Sequence, residues 1–84
     1  MSEHAADIRA LAEALAKGLT ESPSEVSVET VEDDSREIVL ELVVAETDMG
    51  RVIGKGGRTV RALRNVLSAA AGKQGKHLEL DLVE

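Results

Sequence analysis

The sequence predicts a single small α+β domain in which a three-stranded mixed sheet carries its helices on one face. Length supports this prediction, because 84 residues supply one hydrophobic core and no second one. Hydrophobic periodicity supports it as well. Apolar residues recur at every second position in three segments and at three- and four-residue spacing in the others. In chain order these segments read α-β-β-α-α-β.

The first helix is predicted over residues 4–19. Its apolar side chains would form one stripe, made of Ile8, Leu11, Ala12, Leu15 and Leu19. Gly18 and Pro23 bracket the end of this helix, because both residue types disfavour its continuation.

Two strands joined by an acidic turn are predicted next. Val26 and Val28 alternate with polar residues, and the second strand alternates over residues 38–44. The turn, residues 32–35, contains three carboxylates, among them Asp33 and Asp34, which are expected to be solvated.

A pair of helices separated by glycines follows the second strand. Thr47 and Asp48 can cap a short helix, which ends at the glycine-rich run 54–57. The longer helix over residues 58–71 carries an apolar stripe on one side and arginines on another. The stripe consists of Val60, Leu63, Leu67 and Ala70, and the arginines are Arg58, Arg61 and Arg64.

The last strand is predicted over residues 77–83. Its three leucines alternate with Glu79 and Asp81, so the inner face is apolar and the outer face acidic. Together with Glu29, Glu37 and Glu41 these carboxylates would make the outer face of the sheet repel phosphate.

The charge is strongly polarised along the chain. The formal net charge is −6, which taken alone argues against nucleic acid. Residues 1–48, however, hold 13 acids and three bases, whereas residues 49–78 hold seven bases and no acid. The acidic total therefore conceals a basic face around the glycine loop.

The composition excludes several functional classes. The chain has no cysteine and no Phe, Tyr or Trp, which excludes thiol catalysis, thiolate metal sites and RNA-binding folds that stack bases on aromatic rings. No segment approaches the length of a membrane span, and Glu3 and Asp7 interrupt any signal peptide. We expect a soluble, cytoplasmic protein that does not interact with membranes.

Two glycine motifs of nucleotide-binding enzymes fail on spacing. A P-loop needs four residues between its glycines, but only three separate Gly50 from Gly54. The dinucleotide fingerprint would require Gly or Ala at position 59, which is Thr59. The two histidines are far apart and not spaced as metal ligands. We therefore expect no enzyme, no cofactor, no metal and no small-molecule substrate.

The glycine loop itself is suited to phosphate. Glycines at 54 and 57 permit a tight turn and a close approach of the ligand to the backbone, and the helix that follows directs its free N–H groups at the same place. Four of the ten basic residues lie between Arg51 and Arg61. A plain helix–helix turn would not need such a ring of bases, so we favour ligand binding.

The segment from Gly50 to Val60, with the sequence GRVIGKGGRTV, resembles the signature of KH domains. The element order looks like the type II, prokaryotic arrangement over the whole chain, residues 1–84, with residues 54–57 as the GXXG loop. The length and the closing acidic strand are similar to the small bacterial KhpA (YlqC-type) RNA-binding proteins.

The resemblance implies a single-stranded RNA binder whose loop grips the backbone of about four nucleotides, with the bases in a neighbouring aliphatic groove. The final strand would form the opposite wall of this groove. The residues that match the motif are Gly50, Arg51, Val52, Ile53, Gly54, Lys55, Gly56, Gly57, Arg58 and Arg61. At least one of the apolar pair, Val52 or Ile53, should face the groove.

The resemblance also implies partners and a cellular role. These are a homodimer, or a heterodimer with a second KH protein of the KhpB (Jag/EloR) type, and post-transcriptional regulation or RNA chaperoning linked to cell growth and division. The alternative is a KH-type interaction module with only weak RNA contact, in which the loop and its helix form the protein interface.

Overall fold

The computed structural model describes residues 3–83, and the side chains of residues 7–83. This part of the chain contains three helices and three strands in the predicted order α-β-β-α-α-β. The helices are α1 (Glu3–Leu19), α2 (Met49–Ile53) and α3 (Arg58–Gly72), and the strands are β1 (Ser27–Asp33), β2 (Glu37–Val43) and β3 (His77–Leu82). Short 3-10 turns lie at Pro23–Glu25, Glu46–Asp48 and Lys55–Gly57. The predicted fold class is confirmed.

The strands form one mixed sheet in the order β1-β2-β3. β1 and β2 are antiparallel neighbours joined by a hairpin. β2 and β3 are parallel, because α2 and α3 carry the chain back across one face before β3 begins. This crossover places the loop between α2 and α3 near the end of the sheet at which β2 and β3 finish.

The hydrophobic core lies between the helices and one face of the sheet. Ile38, Leu40 and Leu42 are completely buried, as expected for the central strand. The helices contribute Ile8, Ala12, Ala16, Val52, Leu63, Leu67 and Ala71. Burial of each large aliphatic side chain stabilises the fold by roughly 1.5–3 kcal/mol.

The two long helices are rotated slightly from the predicted stripes. Leu11 is predicted in the core but is 36% exposed, and Ala70 packs only against the margin of the core. Ala16 and Ala71, which the prediction omitted, are completely buried. Alanines at these positions allow the helices to approach the sheet closely. In α1, Leu11 therefore remains at the flank, whereas in α3 Leu63 and Leu67 are buried in the core.

The turn between β1 and β2 also differs from the prediction. β1 continues to Asp33, and the chain reverses only after it. The carboxylate of Asp34 accepts the backbone N–H groups of Arg36 and Glu37, both at 2.8 Å, which closes the turn. These two hydrogen bonds lower the pKa of Asp34 below its ordinary value, and the one from Arg36 has the larger effect.

None of the helices that the structure describes is long and apolar enough to cross a membrane.

Candidate nucleic-acid interface

The loop between α2 and α3 requires glycine for two different reasons. Gly54, Gly56 and Gly57 have φ angles of 77°, 65° and 76°, in the left-handed region that other residues rarely adopt. A Cβ on Gly54 would also lie 2.7 Å from the Cβ of Thr59 and 2.9 Å from its backbone nitrogen. Gly56 and Gly57 have open space around this position. Only Gly54 is therefore constrained by both conformation and packing.

The N-terminus of α3 opens directly at this loop. The backbone N–H of Gly57 donates to the carbonyl of Gly54 at 3.1 Å, which closes the turn. Gly57 occupies the N-cap position, and no described side chain caps the helix. The N–H of Arg58 donates to the carbonyl of Lys55 within the turn. The N–H groups that follow it in the first turn and the positive end of the helix dipole point towards the loop, where an anion can bind.

The basic residues around the loop differ in their contacts. The guanidinium of Arg51 contacts the carboxylate of Glu21 at 3.3 Å and that of Asp48 at 3.9 Å, so part of its charge is already neutralised. Within residues 7–83, the side chains of Lys55 and Arg58 make no hydrogen bond or ion pair, although the backbones of these two residues are hydrogen-bonded to each other. Arg61 makes one long hydrogen bond, from Nη2 to the carbonyl of Gly56 at 3.5 Å. Three cations therefore surround the loop without a carboxylate partner in this part of the chain.

Lys76, which belongs to the basic segment of the sequence, is not part of this group. Its Nζ lies 2.9 Å from the carboxylate of Asp33, and the pair is partly exposed. Asp33 lies at the surface, as predicted, but it is paired with a cation. The pair ties the start of β3 to the end of β1 across the sheet.

An apolar groove of about 480 Å³ lies beside the loop. It is lined by Val43, Val44, Glu46, Met49, Ile53 and Val83. Ile53, which directly precedes Gly54, is partly exposed in this groove, whereas Val52 is completely buried in the core. Of the two residues between which the sequence did not decide, Ile53 is the one that faces the groove.

Gly50 lies exposed on α2, one turn before the loop. A Cβ at this position would have no neighbouring atom within 4 Å. Packing within the chain therefore does not demand glycine here. The missing side chain instead leaves the surface of α2 bare next to Gly54.

The prediction that the side chain of Asp48 caps α2 is wrong. Asp48 occupies the N-cap position of α2, but its side chain does not cap that helix. Instead its two oxygens accept the backbone N–H groups of Glu21 and Ser22 at 3.0 and 3.1 Å, and the residue is only 2% exposed. Asp48 thus joins the segment after α1 to the start of α2. No local signal could reveal this role, since the partners lie 27 and 26 positions away in the sequence.

The opposite face of the sheet is acidic, as predicted. It carries Glu29, Glu37, Glu41, Glu79 and Asp81. Glu41 stands directly between Glu29 of β1 and Asp81 of β3 in the register of the sheet. The charge of Asp81, followed by that of Glu37, raises the pKa of Glu79. Such a surface repels a phosphate backbone, so the two faces of the domain differ in sign.

Metal chemistry finds no support among the described residues, in which no group of three or more His, Asp and Glu could hold an ion. His77 lies exposed at the start of β3, and His4 lies outside the side chains that the structure describes.

Sequence comparison identifies close relatives of the whole chain. Residues 9–82 match the family described as the KH domain of KhpA/KhpB. The chain is 43% identical over 76 residues to the RNA-binding protein KhpA of Clostridium acetobutylicum, covering 90% of this chain and 100% of that protein. It is 43% identical over 77 residues to KhpA of Halalkalibacterium halodurans, with 92% and 100% coverage. KhpA of Borreliella burgdorferi is 33% identical over 84 residues, with full coverage of both chains.

Among solved structures, a crystal structure of Aquifex aeolicus Era, a variant bound to GDP and aluminium fluoride, has a similar fold. The TM-score is 0.69 at 22% sequence identity, and the match covers 89% of this chain and 29% of that chain. At this identity the likeness concerns the fold alone.

Proposed function

The chain belongs to the KhpA/KhpB family of KH domains, and we propose that it is a non-catalytic protein that binds single-stranded RNA. Its relatives are named RNA-binding proteins, not enzymes. The observation that carries the proposal is the α2–α3 loop. Left-handed glycines, a helix N-terminus without a side-chain cap and three cations that contact no carboxylate of residues 7–83 meet there.

The loop would hold the RNA backbone. Backbone N–H groups at the start of α3 donate to a phosphate, and Lys55, Arg58 and Arg61 can each reach a neighbouring one. Arg51 can join them only by exchanging its contact with Glu21 for a phosphate. Because these contacts engage the backbone, they position the strand without reading its sequence.

The apolar groove beside the loop would receive bases. Ile53 forms part of it, and the bare surface at Gly50 lets a base approach α2 closely. The chain has no Phe, Tyr or Trp on which a base could stack, and no histidine lines this groove. Aliphatic contacts and hydrogen bonds to the protein would therefore hold the bases in it.

The loop can be tested by charge reversal. In the double variant Lys55→Asp, Gly56→Asp, we expect at least about tenfold weaker binding of a single-stranded RNA at physiological salt. One phosphate contact is lost, and two carboxylates face the strand. The dependence of log K on log salt should also become shallower by about 0.7, the value for one phosphate contact to a single strand. Fluorescence anisotropy at several salt concentrations measures both quantities.

The chain offers a matched control, because α1 contains the same dipeptide at Lys17 and Gly18, and the space beside Gly18 is open. The variant Lys17→Asp, Gly18→Asp changes the net charge equally, and it should retain the affinity and the salt dependence of the wild type. If the loop variant is folded by circular dichroism and binds RNA as this control does, the loop does not hold RNA.

A second candidate function, pairing with another KH domain, is favoured by an apolar surface on the helical layer. Leu11 is 36% exposed and Val66 is 49% exposed. A shallow groove between α1 and α3 is lined by Leu15, Leu19, Thr59, Ala62, Leu63 and Val66. Adjoining exposed aliphatic residues are typical of a protein interface. We propose that this surface forms a homodimer, or a heterodimer with a second KH protein of the KhpB type.

Sedimentation velocity of the purified chain tests the homodimer. We expect the wild type to sediment as a dimer and Val66→Asp as a monomer, because a carboxylate cannot be buried in an apolar interface without a partner. Val31→Asp is the matched control, since Val31 is 55% exposed on β1, away from the helical layer. A monomeric wild type, or a Val66→Asp variant that remains dimeric, would contradict this interface.

The family resemblance supports a cytoplasmic location and a role in post-transcriptional regulation or RNA chaperoning linked to growth and division. Crosslinking in cells, followed by sequencing of the bound RNA, tests this role. Transcripts recovered equally well with the Lys55→Asp, Gly56→Asp variant would not be targets of the loop.

A further inference from the structure

The free edge of β3 carries an arginine that the loop contacts do not involve. β3 is an edge strand, paired only with β2. On the side of β2, the N–H of His77 donates to the carbonyl of Arg36 at 2.8 Å, and the N–H of Val83 donates to the carbonyl of Leu42 at 2.9 Å. Since backbone groups of successive residues in a strand point to alternate sides, Leu78, Leu80 and Leu82 direct theirs to the free edge.

Arg64 of α3 occupies this edge at its centre. Its Nε donates to the carbonyl of Leu80 at 3.1 Å, and the bond is partly buried. Within residues 7–83, its two terminal nitrogens have no hydrogen-bond or ion-pair partner. The bond at Nε restricts the orientation of the guanidinium, so its two remaining nitrogens form a positioned pair of donors.

These donors border a groove of about 350 Å³ between α3 and the edge of β3. It is lined by Arg64, Ser68, His77, Leu78, Glu79, Leu80 and Asp81. Glu79 and Asp81 border this groove and disfavour a phosphate, whereas Lys55, Arg58 and Arg61 have no carboxylate partner within residues 7–83. A nucleobase suits this groove better, because it is uncharged and carries both donors and acceptors.

We propose that Arg64 reads one base of the bound strand, and that this base is guanine. A guanidinium fork pairs with O6 and N7 of guanine, which are adjacent acceptors. Adenine presents an amino donor beside N7 and would oppose the fork. This inference rests on the proposed RNA binding and adds base selectivity to it.

The test compares uridine octamers that contain one central guanosine, 7-deazaguanosine or adenosine, with all-uridine as reference. For the wild type, fluorescence anisotropy should give at least about fivefold tighter binding of the guanosine octamer than of the other two, the lower end for a bidentate contact. Arg64→Gln and Arg64→Lys should lose this preference. Their affinity for the all-uridine octamer should stay within about twofold, since this contact adds to the backbone contacts.

Arg61→Gln is the matched control, one turn earlier on the same helix. This substitution should weaken the binding of all octamers by the same factor and leave the preference for guanosine unchanged, because Arg61 contacts the loop. If the wild type binds the octamers without a guanosine preference, or if Arg64→Gln retains it, base reading is overturned while RNA binding stands. Arg64 would then only protect a strand edge, and its loss would lower the unfolding temperature alone. If the wild type binds no octamer, the proposed RNA binding fails as well.

Discussion

Replacing Gly54 by alanine is expected to destabilise the fold by roughly 2–5 kcal/mol, the sum of backbone strain and overpacking. The φ angle of 77° disfavours a side chain, and the new Cβ would lie 2.9 Å from the backbone nitrogen of Thr59. Rotation of the Thr59 side chain cannot relieve a contact with its backbone. Urea denaturation measures the change in the free energy of unfolding, and the remaining folded protein should bind RNA weakly, because the start of α3 must move.

Gly57→Ala measures the cost of a left-handed conformation where packing is not in conflict. Gly57 has φ 76° and ψ 15°, the left-handed helical conformation, with open space where the Cβ would lie, whereas Gly54 combines φ 77° with ψ 170°, a region almost restricted to glycine. We expect a loss of about 1 kcal/mol, the usual cost of a left-handed residue with a side chain. Equal losses of stability in Gly54→Ala and Gly57→Ala would show that neither the conformation of Gly54 nor the close approach of Thr59 makes position 54 more demanding than position 57.

Asp48→Ala should cost roughly 2–4 kcal/mol, because the partly buried N–H groups of Glu21 and Ser22 both lose a charged hydrogen-bond partner. Chemical denaturation gives the loss in global stability. Hydrogen exchange of these two amides, followed by NMR, should become much faster than in the wild type. Faster exchange at both sites, with other core amides less affected, would localise the effect to the junction of α1 and α2.

Asp33→Ala is the control for Asp48→Ala. Asp33 also has a partner, Lys76 at 2.9 Å, but the pair is partly exposed and engages no backbone donor. Its removal should cost less than about 1 kcal/mol. If Asp48→Ala is no more destabilising than Asp33→Ala, the two backbone hydrogen bonds of Asp48 contribute little to the fold.

The elements that could be predicted from the sequence depend on neighbouring residues. Alternation over residues 38–44 identified β2, and the leucines of residues 77–83 identified β3. The glycines of residues 54–57 identified the loop because their conformational requirement is local. The separation of acidic and basic segments along the chain also predicted an acidic outer face of the sheet, which the structure contains.

What escaped prediction depends on contacts between distant segments. Asp48 was interpreted as a helix cap, since its real partners lie on the segment after α1. Arg51 and Lys76 were counted with the basic face, but Glu21 and Asp33 engage them. Ala16 is buried and Leu11 is partly exposed, contrary to the prediction, because the rotation of α1 about its axis depends on how closely the helix approaches the sheet. Periodicity defines the apolar side of a helix only to within about one residue.

The acidic outer face of the sheet affects how many RNA strands one copy can hold. With carboxylates across all three strands, a second strand finds no attractive surface on the back of the domain. If the loop holds RNA as proposed, each copy would therefore bind one RNA strand. Bridging two transcripts, or gripping one transcript at two points with the gain in avidity that this brings, requires a second domain on the same particle. In this protein, RNA valency would thus be set by the number of domains that assemble.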